Sequence, residues 1–240
     1  MSKSNVWMSV SDLMTGLMVI FLFVAVSYMV KVQENQTVLT DYVETREKLH
    51  DKLVNEFAGD TAKWQMAIGR DLTMKFKNPE VLFAVGRDDI TPKFQDILNE
   101  FLPRYMTILL QDSLRNKIQE IRIEGHTDNT WNDPHADAYM ENLRLSQKRA
   151  ARVVEYFRSM PEYQTFSDED KRQIDYWLTA NGMSYGKALD DNGDFIQVSR
   201  KAINPDLSRR VEIRIVTSGD EILENFVEKN KKTNPFKSSK

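Results

Sequence analysis

The pattern of apolar and polar positions divides the chain sharply. From Leu13 to Val30 no charged side chain occurs and the run is almost wholly apolar, which matches the roughly 17–25 residues that cross hydrocarbon as a helix. The stretch after it places Val38, Leu39, Tyr42, Val43, Leu49, Leu53 and Phe57 at roughly helical spacing among charges, predicting a helical linker that Gly59 and Asp60 interrupt. From Leu72 the pattern changes to that of a folded α+β domain. The runs LTMKF and VLFAV read as two short strands joined through Lys77 to Glu80. Thr91 then caps a helix with Pro92 in its first turn, and Phe94, Ile97, Leu98, Phe101 and Leu102 form its apolar stripe. IQEIRIEG alternates as a half-buried strand, ADAYMENLRLSQKRAARVVEYFRSM is helical, and RRVEIRIVT alternates again. A mixed sheet with helices packed on one face is the simplest assembly of these parts.

The boundaries that follow are a short amino-terminal segment (1–5), a membrane-crossing helix (6–32), a helical linker (33–71), the folded domain (72–218) and a carboxyl-terminal helix with a basic tail (219–240). Lys3 and the terminal amine ahead of the span favour a cytoplasmic amino terminus, with everything after the span across the membrane, whereas Lys31 argues the other way. Ala25-Val26-Ser27 also resembles a small-residue cleavage site, so a signal peptide is the rival reading of the same run.

Composition narrows the partners. Charged residues make up 29% of the chain, yet the formal net charge is only -3, which argues against a nucleic-acid partner. With no cysteine there are no disulfides, thiolate metal sites or cysteine nucleophiles. No Ser-His-Asp set, phosphate loop or zinc-protease motif stands in the sequence, so an enzyme is not expected.

Two places carry candidate chemistry. Asp12 opens the apolar run, and the run holds no basic residue to neutralise it. A carboxylate withdrawn from water is costly while charged, so an acid at a membrane helix marks an ion path, with an interfacial residue reaching the headgroups as the plain alternative. Thr15, one turn on, can bond the carboxylate or a passing water, and Gly16 and Ser27 permit close helix packing. The second place is EGHTDNTWNDPHADAYMENLRLSQKRA. There Asp128 follows a strand, and Asn142, Leu145 and Arg149 share one helix face at i, i+3 and i+7. An anion, a cation and an amide that converge suit a zwitterion, with Asp128 facing an ammonium and Arg149 a carboxylate. The same pair also suits an ordinary surface ion pair. His126, Asp128, Asp133 and His135 lack a recognised metal-ligand spacing. DDNGDF from Asp190 has Phe195 where a calcium loop needs glycine and Lys201 where it needs the closing Glu, so it reads as a turn.

IEGHTD, ENLRLSQKRAARVVEYF and LSRRVEIRIV, in that order, resemble the three signatures of the OmpA-like peptidoglycan-binding domain, over roughly residues 80 to 217. The resemblance implies that Asp128 and Arg149 grip diaminopimelate of the wall stem peptide, with Asn142, Leu145 and Arg210 at the family's other matching positions. The chain departs from that pattern in a longer loop, NTWNDPHADAYME, and in an inserted acidic helix, MPEYQTFSDEDKRQIDYWL, both expected near the pocket. Asp12, Met14 and Thr15 ahead of an apolar helix resemble the start of the membrane helix in MotB-type stator subunits. This likeness implies that Asp12 carries an ion, either proton or sodium, and that no other cofactor is needed. It also implies two copies of the chain inside a pentamer of a MotA-like membrane partner, in the bacterial inner membrane with the folded domain periplasmic. The short segment ahead of the span is more similar to ZorB of Zorya anti-phage systems, whose partner is ZorA, than to flagellar MotB. A passive OmpA-like tether and a flagellar stator are the alternatives.

Overall fold

The computed structural model describes residues 3–77, 82–84 and 86–220, except the side chains of 3–9, 34, 35, 38 and 39. It separates into two units, Met1–Glu44 and Thr45–Lys240. Residues 78–81 and 85, in the expected VLFAV hairpin, and 221–240, most of the expected terminal helix and tail, lie outside the described residues.

The first unit is helical. Helix α1, Lys3–Phe57, begins in it, and Val10–Gln33 is long and apolar enough to cross a membrane, with mean hydropathy 2.4 over its best window and nothing buried.

The second unit is built on a five-stranded sheet. Its strands are β1 (Met66–Ile68), β2 (Thr73–Phe76), β3 (Ile118–His126), β4 (Leu178–Gly182) and β5 (Arg210–Thr217), in the order β1-β2-β5-β3-β4. The β3–β4 pair is parallel and the other pairs are antiparallel, so the sheet is mixed as predicted. Helices α2 (Pro92–Leu109), α3 (Ala138–Ser159) and α4 (Asp168–Trp177) complete the unit. Thr91 accepts the Phe94 N–H, Asp137 accepts those of Tyr139 and Met140, and Ser167 accepts that of Asp170, so side chains take up amide donors that each helix start leaves unpaired.

Strand alternation sorts the two faces of the sheet. Met74, Phe76, Ile121, Ile123, Val211, Ile213 and Ile215 join a buried core with Phe94, Leu98, Phe101, Val153, Phe157, Ile174 and Trp177 from the helices. The other face carries charge. Lys75, Arg122, Glu124, His126, Arg210, Glu212 and Arg214 stand in cross-strand register on it.

Two expectations change. β2 takes β1 as its hairpin partner; of VLFAV, the described Phe83 makes only an isolated bridge to Ile90. The short Met66–Ile68 run follows Gln65 at φ 50, a tight turn that composition does not announce. The folded unit also starts at Thr45, because Leu49, Leu53 and Phe57 of α1 are fully buried in the core. Phe57 lies 5.0 Å from the Phe101 ring and 5.9 Å from that of Trp64.

Two glycines set how closely α3 approaches the sheet. Gly125 and Gly182 are register partners on β3 and β4. A Cβ on Gly125 would lie 2.3 Å from the Ser146 carbonyl oxygen, and one on Gly182 would lie 2.5 Å from the Gln147 nitrogen. Only a residue without a side chain lets the helix backbone settle there. That contact fixes α3 against the end of β3, from which Asp128 emerges.

Candidate functional site

Past the end of β3 lies a cavity of about 440 Å³ lined by Phe83, Thr127, Asp128, Thr130, Trp131, Asn132, Asp133, Asn142, Leu145, Arg149 and Arg209 among others. It brings together Asp128, Asn142, Leu145 and Arg149.

Asp128 is only 3% exposed. Its Oδ1 accepts the Thr130 N–H at 2.8 Å and the Thr130 hydroxyl, closing a turn over its own carboxylate. Its Oδ2 has no hydrogen-bond partner and lies 3.3 Å from Nη1 of Arg209. One carboxylate oxygen is therefore spent on the loop, and the other, buried, is ion-paired with Arg209.

Arg149 is buried and spans the cavity from α3. Its Nε donates to the Arg87 carbonyl at 2.9 Å and its Nη2 to that of Ala84 at 3.4 Å, and its guanidinium lies 5.1 Å from the Phe83 ring centroid. Burial, with the nearby positive charge of Arg209, pulls its pKa down to about 10, so it stays a cation at neutral pH. Asn142 has a different role from that of a free ligand amide. Its Nδ2 donates to the Thr130 carbonyl at 3.1 Å and to the Ala138 carbonyl at 3.0 Å, which pins the loop to the helix.

Arg210 does not line the cavity. It lies on the charged face of the sheet, where its Nε donates to Glu212 Oε1 at 2.7 Å and its Nη1 to the Ser208 carbonyl at 3.1 Å. Arg209, one residue earlier and outside the β5 ladder, takes the place in the cavity expected for Arg210. The two adjacent arginines fall on either side of the strand start, and their partners differ accordingly: Asp128 for Arg209 and Glu212 for Arg210. The acidic insertion also differs from expectation, since α4 contributes no lining residue and instead buries Ile174 and Trp177, with Trp177 Nε1 donating to the Ile118 carbonyl at 3.0 Å. The longer loop does line the cavity, through Trp131, Asn132 and Asp133.

His126 joins Glu124 and Glu212 rather than Asp133 and His135. Its Nε2 lies 3.5 Å from Glu124 and 3.9 Å from Glu212, and all three residues are buried. Burial holds the imidazole below its ordinary value of 6.5 despite the Glu124 contact. Burial pushes both carboxylates up, but His126, Arg214 and Lys187 around Glu124, and Arg210 and His126 around Glu212, bring them below 4.5. DDNGDF is a self-closed turn in which Asp190 Oδ1 accepts the Asn192 and Asp194 N–H groups.

In the first unit, Asp12 and Thr15 lie on the exposed surface of α1. The Thr15 hydroxyl donates to the Ser11 carbonyl at 2.8 Å, one turn back along the helix.

Residues 82–164 match the OmpA family. Over 222 residues the chain is 33% identical to the Zorya protein ZorB of Escherichia coli (strain ATCC 8739 and its synonyms, Crooks), covering 89% of this chain and 88% of that protein. Among solved structures, the cell wall anchor of the T6SS from Pseudomonas aeruginosa is similar at 21% identity and TM-score 0.43, over 69% of this chain and 97% of that one. The periplasmic domain of Helicobacter pylori MotB is similar at 16% identity and TM-score 0.39, over 68% and 84% of the two chains.

Proposed function

Because the chain belongs to the ZorB family, we propose that it is the wall-anchored, ion-carrying subunit of an inner-membrane rotary motor of the Zorya anti-phage type. The OmpA-like unit holds peptidoglycan in the cavity beside Asp128. There the Asp128 oxygen that faces Arg209 receives an ammonium, and Arg149, with Arg209, receives a carboxylate. The observation that carries this half of the reading is that Asp128, Asn142, Leu145 and Arg149, separate in sequence, line one cavity.

The membrane half rests on Asp12, which lies within the only described stretch, Val10–Gln33, that is long and apolar enough to span. Two copies of the chain pair inside a pentamer of a MotA-like, ZorA-type partner, and Asp12 takes up and releases an ion against that partner. A proton falling through 100 mV yields about 2.3 kcal/mol, enough to bias a partner that distinguishes the charged from the neutral acid. The amino terminus is cytoplasmic and the OmpA-like unit periplasmic.

The test is a pair of substitutions in cells that carry the partner. Asp12→Asn abolishes phage defence while the chain still sediments with peptidoglycan sacculi, and Asp128→Asn loses the sacculi. Defence that survives Asp12→Asn makes the chain a passive tether.

A further inference from the structure

Glu124 and Glu212 are register partners on β3 and β5, and His126 stands two residues on from Glu124, on the same charged face of the sheet. None of the three lines the cavity beside Asp128. Folding removes them from water without giving them partners. They are 0%, 3% and 2% exposed, in that order, yet neither oxygen of Glu124 and neither ring nitrogen of His126 makes a hydrogen bond. Polar groups in a folded interior ordinarily recover what hydration they lose, so four such atoms together call for a ligand.

The neighbouring cations meet that demand only in part. Arg210 donates to Glu212 Oε1 at 2.7 Å, whereas Arg122 lies 3.9 Å from Glu124, and Lys75 and Arg214 each lie 3.7 Å from Glu212. The remaining atoms converge. His126 Nε2 is 3.5 Å from Glu124 Oε2 and 3.9 Å from Glu212 Oε2, and one ligand atom of each residue lies within 4.8 Å of the other two. Ligand atoms around a tetrahedral ion with bonds of about 2.1 Å stand about 3.4 Å apart, and those around an octahedral one about 3.0 Å. The spacing fits the tetrahedral ion. Calcium and magnesium take oxygen ligands and have no use for an imidazole, whereas one nitrogen with two carboxylate oxygens suits zinc and its neighbours.

We propose that Glu124, His126 and Glu212 bind a divalent transition-metal ion of the zinc class, which ties β3 to β5 just before Asp128 and Arg209 enter the cavity. Arg210 then serves as the outer partner that orients the Glu212 carboxylate. The way in lies past Arg122 and Arg214, whose side chains are 35% and 31% exposed and line a second cavity, of about 570 Å³, on this face. Both are long enough to swing outward as the ion enters. The site stands whether or not the neighbouring cavity holds peptidoglycan.

The experiment takes the untagged full chain in detergent, strips it with a chelator and titrates it with cobalt or zinc chloride alone. One equivalent of Co²⁺ binds and gives the strong visible absorption of a tetrahedral ion, and Zn²⁺ displaces it. Zn²⁺ at about a hundredfold excess over its Kd raises the melting temperature by roughly 5–10 °C. Glu124→Gln, which keeps the side-chain shape, abolishes both effects, as does His126→Gln, and melts of the metal-free variants show that each still folds. The chain has three histidines and no cysteine, so a His50→Ala, His135→Ala double variant keeps both effects. A wild-type chain without the cobalt band overturns the proposal. So does binding that survives Glu124→Gln and His126→Gln, or that vanishes with His50 and His135, either of which marks an adventitious ion only.

Discussion

Replacing Gly125 by alanine tests whether the packing of α3 on β3 sets the site. The added Cβ lies 2.3 Å from the Ser146 carbonyl oxygen, 3.1 Å from its carbonyl carbon and 3.3 Å from its Cα, where ordinary contacts begin at 3.4 Å. The shortfall is about 1 Å, and the obstacle is helix backbone, which cannot rotate away as a side chain would. Overpacking of this kind costs roughly 1–3 kcal/mol, and the backbone obstacle places Gly125→Ala near the upper end. At about 2–4 °C per kcal/mol for a unit of this size, the melting temperature falls by roughly 6–12 °C. Ser146 lies between Asn142 and Arg149 on α3, so a helix lifted there also draws Arg149 from Asp128, and sacculus binding weakens beyond what the loss of folded protein explains. Thermal melts of the full chain in detergent, paired with sacculus sedimentation at a temperature where both proteins are folded, separate the two effects. Gly59→Ala is the control, since nothing lies within 4 Å of its Cβ position. A Gly125→Ala chain that melts and binds like wild type refutes the reasoning.

The adjacent arginines separate by phenotype: Arg210→Ala removes the nearest partner of buried Glu212, which keeps Lys75 and Arg214 at 3.7 Å, and costs about 1–3 kcal/mol in urea denaturation, whereas Arg209→Ala changes sacculus binding with little loss of stability. Equal effects on stability would show that both serve the fold. Acidification destabilises the OmpA-like unit in two stages. The unfolded chain protonates His126 near 6.5 while burial keeps the folded imidazole neutral to lower pH, so stability falls from there downward. Glu124 and Glu212, depressed in the fold, contribute stability that is complete above about 4.5 and is lost as pH falls through their folded values. Melting temperatures between pH 8 and 2 trace both stages, and His126→Gln flattens the upper one; an unchanged upper slope in that variant removes His126 as its cause.

Much of this architecture is legible in the residues, and the exceptions have physical causes. The cap at Thr91, the helix from Ala138 and the alternation of β3 and β5 are local signals, and local signals survive folding. The partner of β2 depends on a turn at Gln65, and the β-rich VLFAV run is the more conspicuous alternative. Alternation in IRIEGH and RVEIRI reveals one apolar and one charged face, but not that Glu124, His126 and Glu212 are buried, because part of what surrounds them, such as the Lys187 carbonyl that bonds Arg210, comes from another segment of the chain. Asp128 and Arg149 are legible from a strand end and one helix face, and the OmpA-like motif matches both. Arg209 is not legible, because the motif does not say on which residue the strand starts, nor is the lining role of Trp131, because it belongs to a loop that departs from the family pattern.

The burial of Leu49, Leu53 and Phe57 bears on where this protein can be cut. A segment defined by family likeness, 82–164, omits these anchors along with β1, β2, β4 and β5. Expressed alone, it would expose the rings of Phe94 and Phe101, which pack on Phe76 and Phe57, to water and aggregate. A grafted or soluble version begins at or before Thr45 and runs through Asp220, which ties Thr217 to Arg46, so the stretch matched by family likeness is smaller than the folded unit it belongs to.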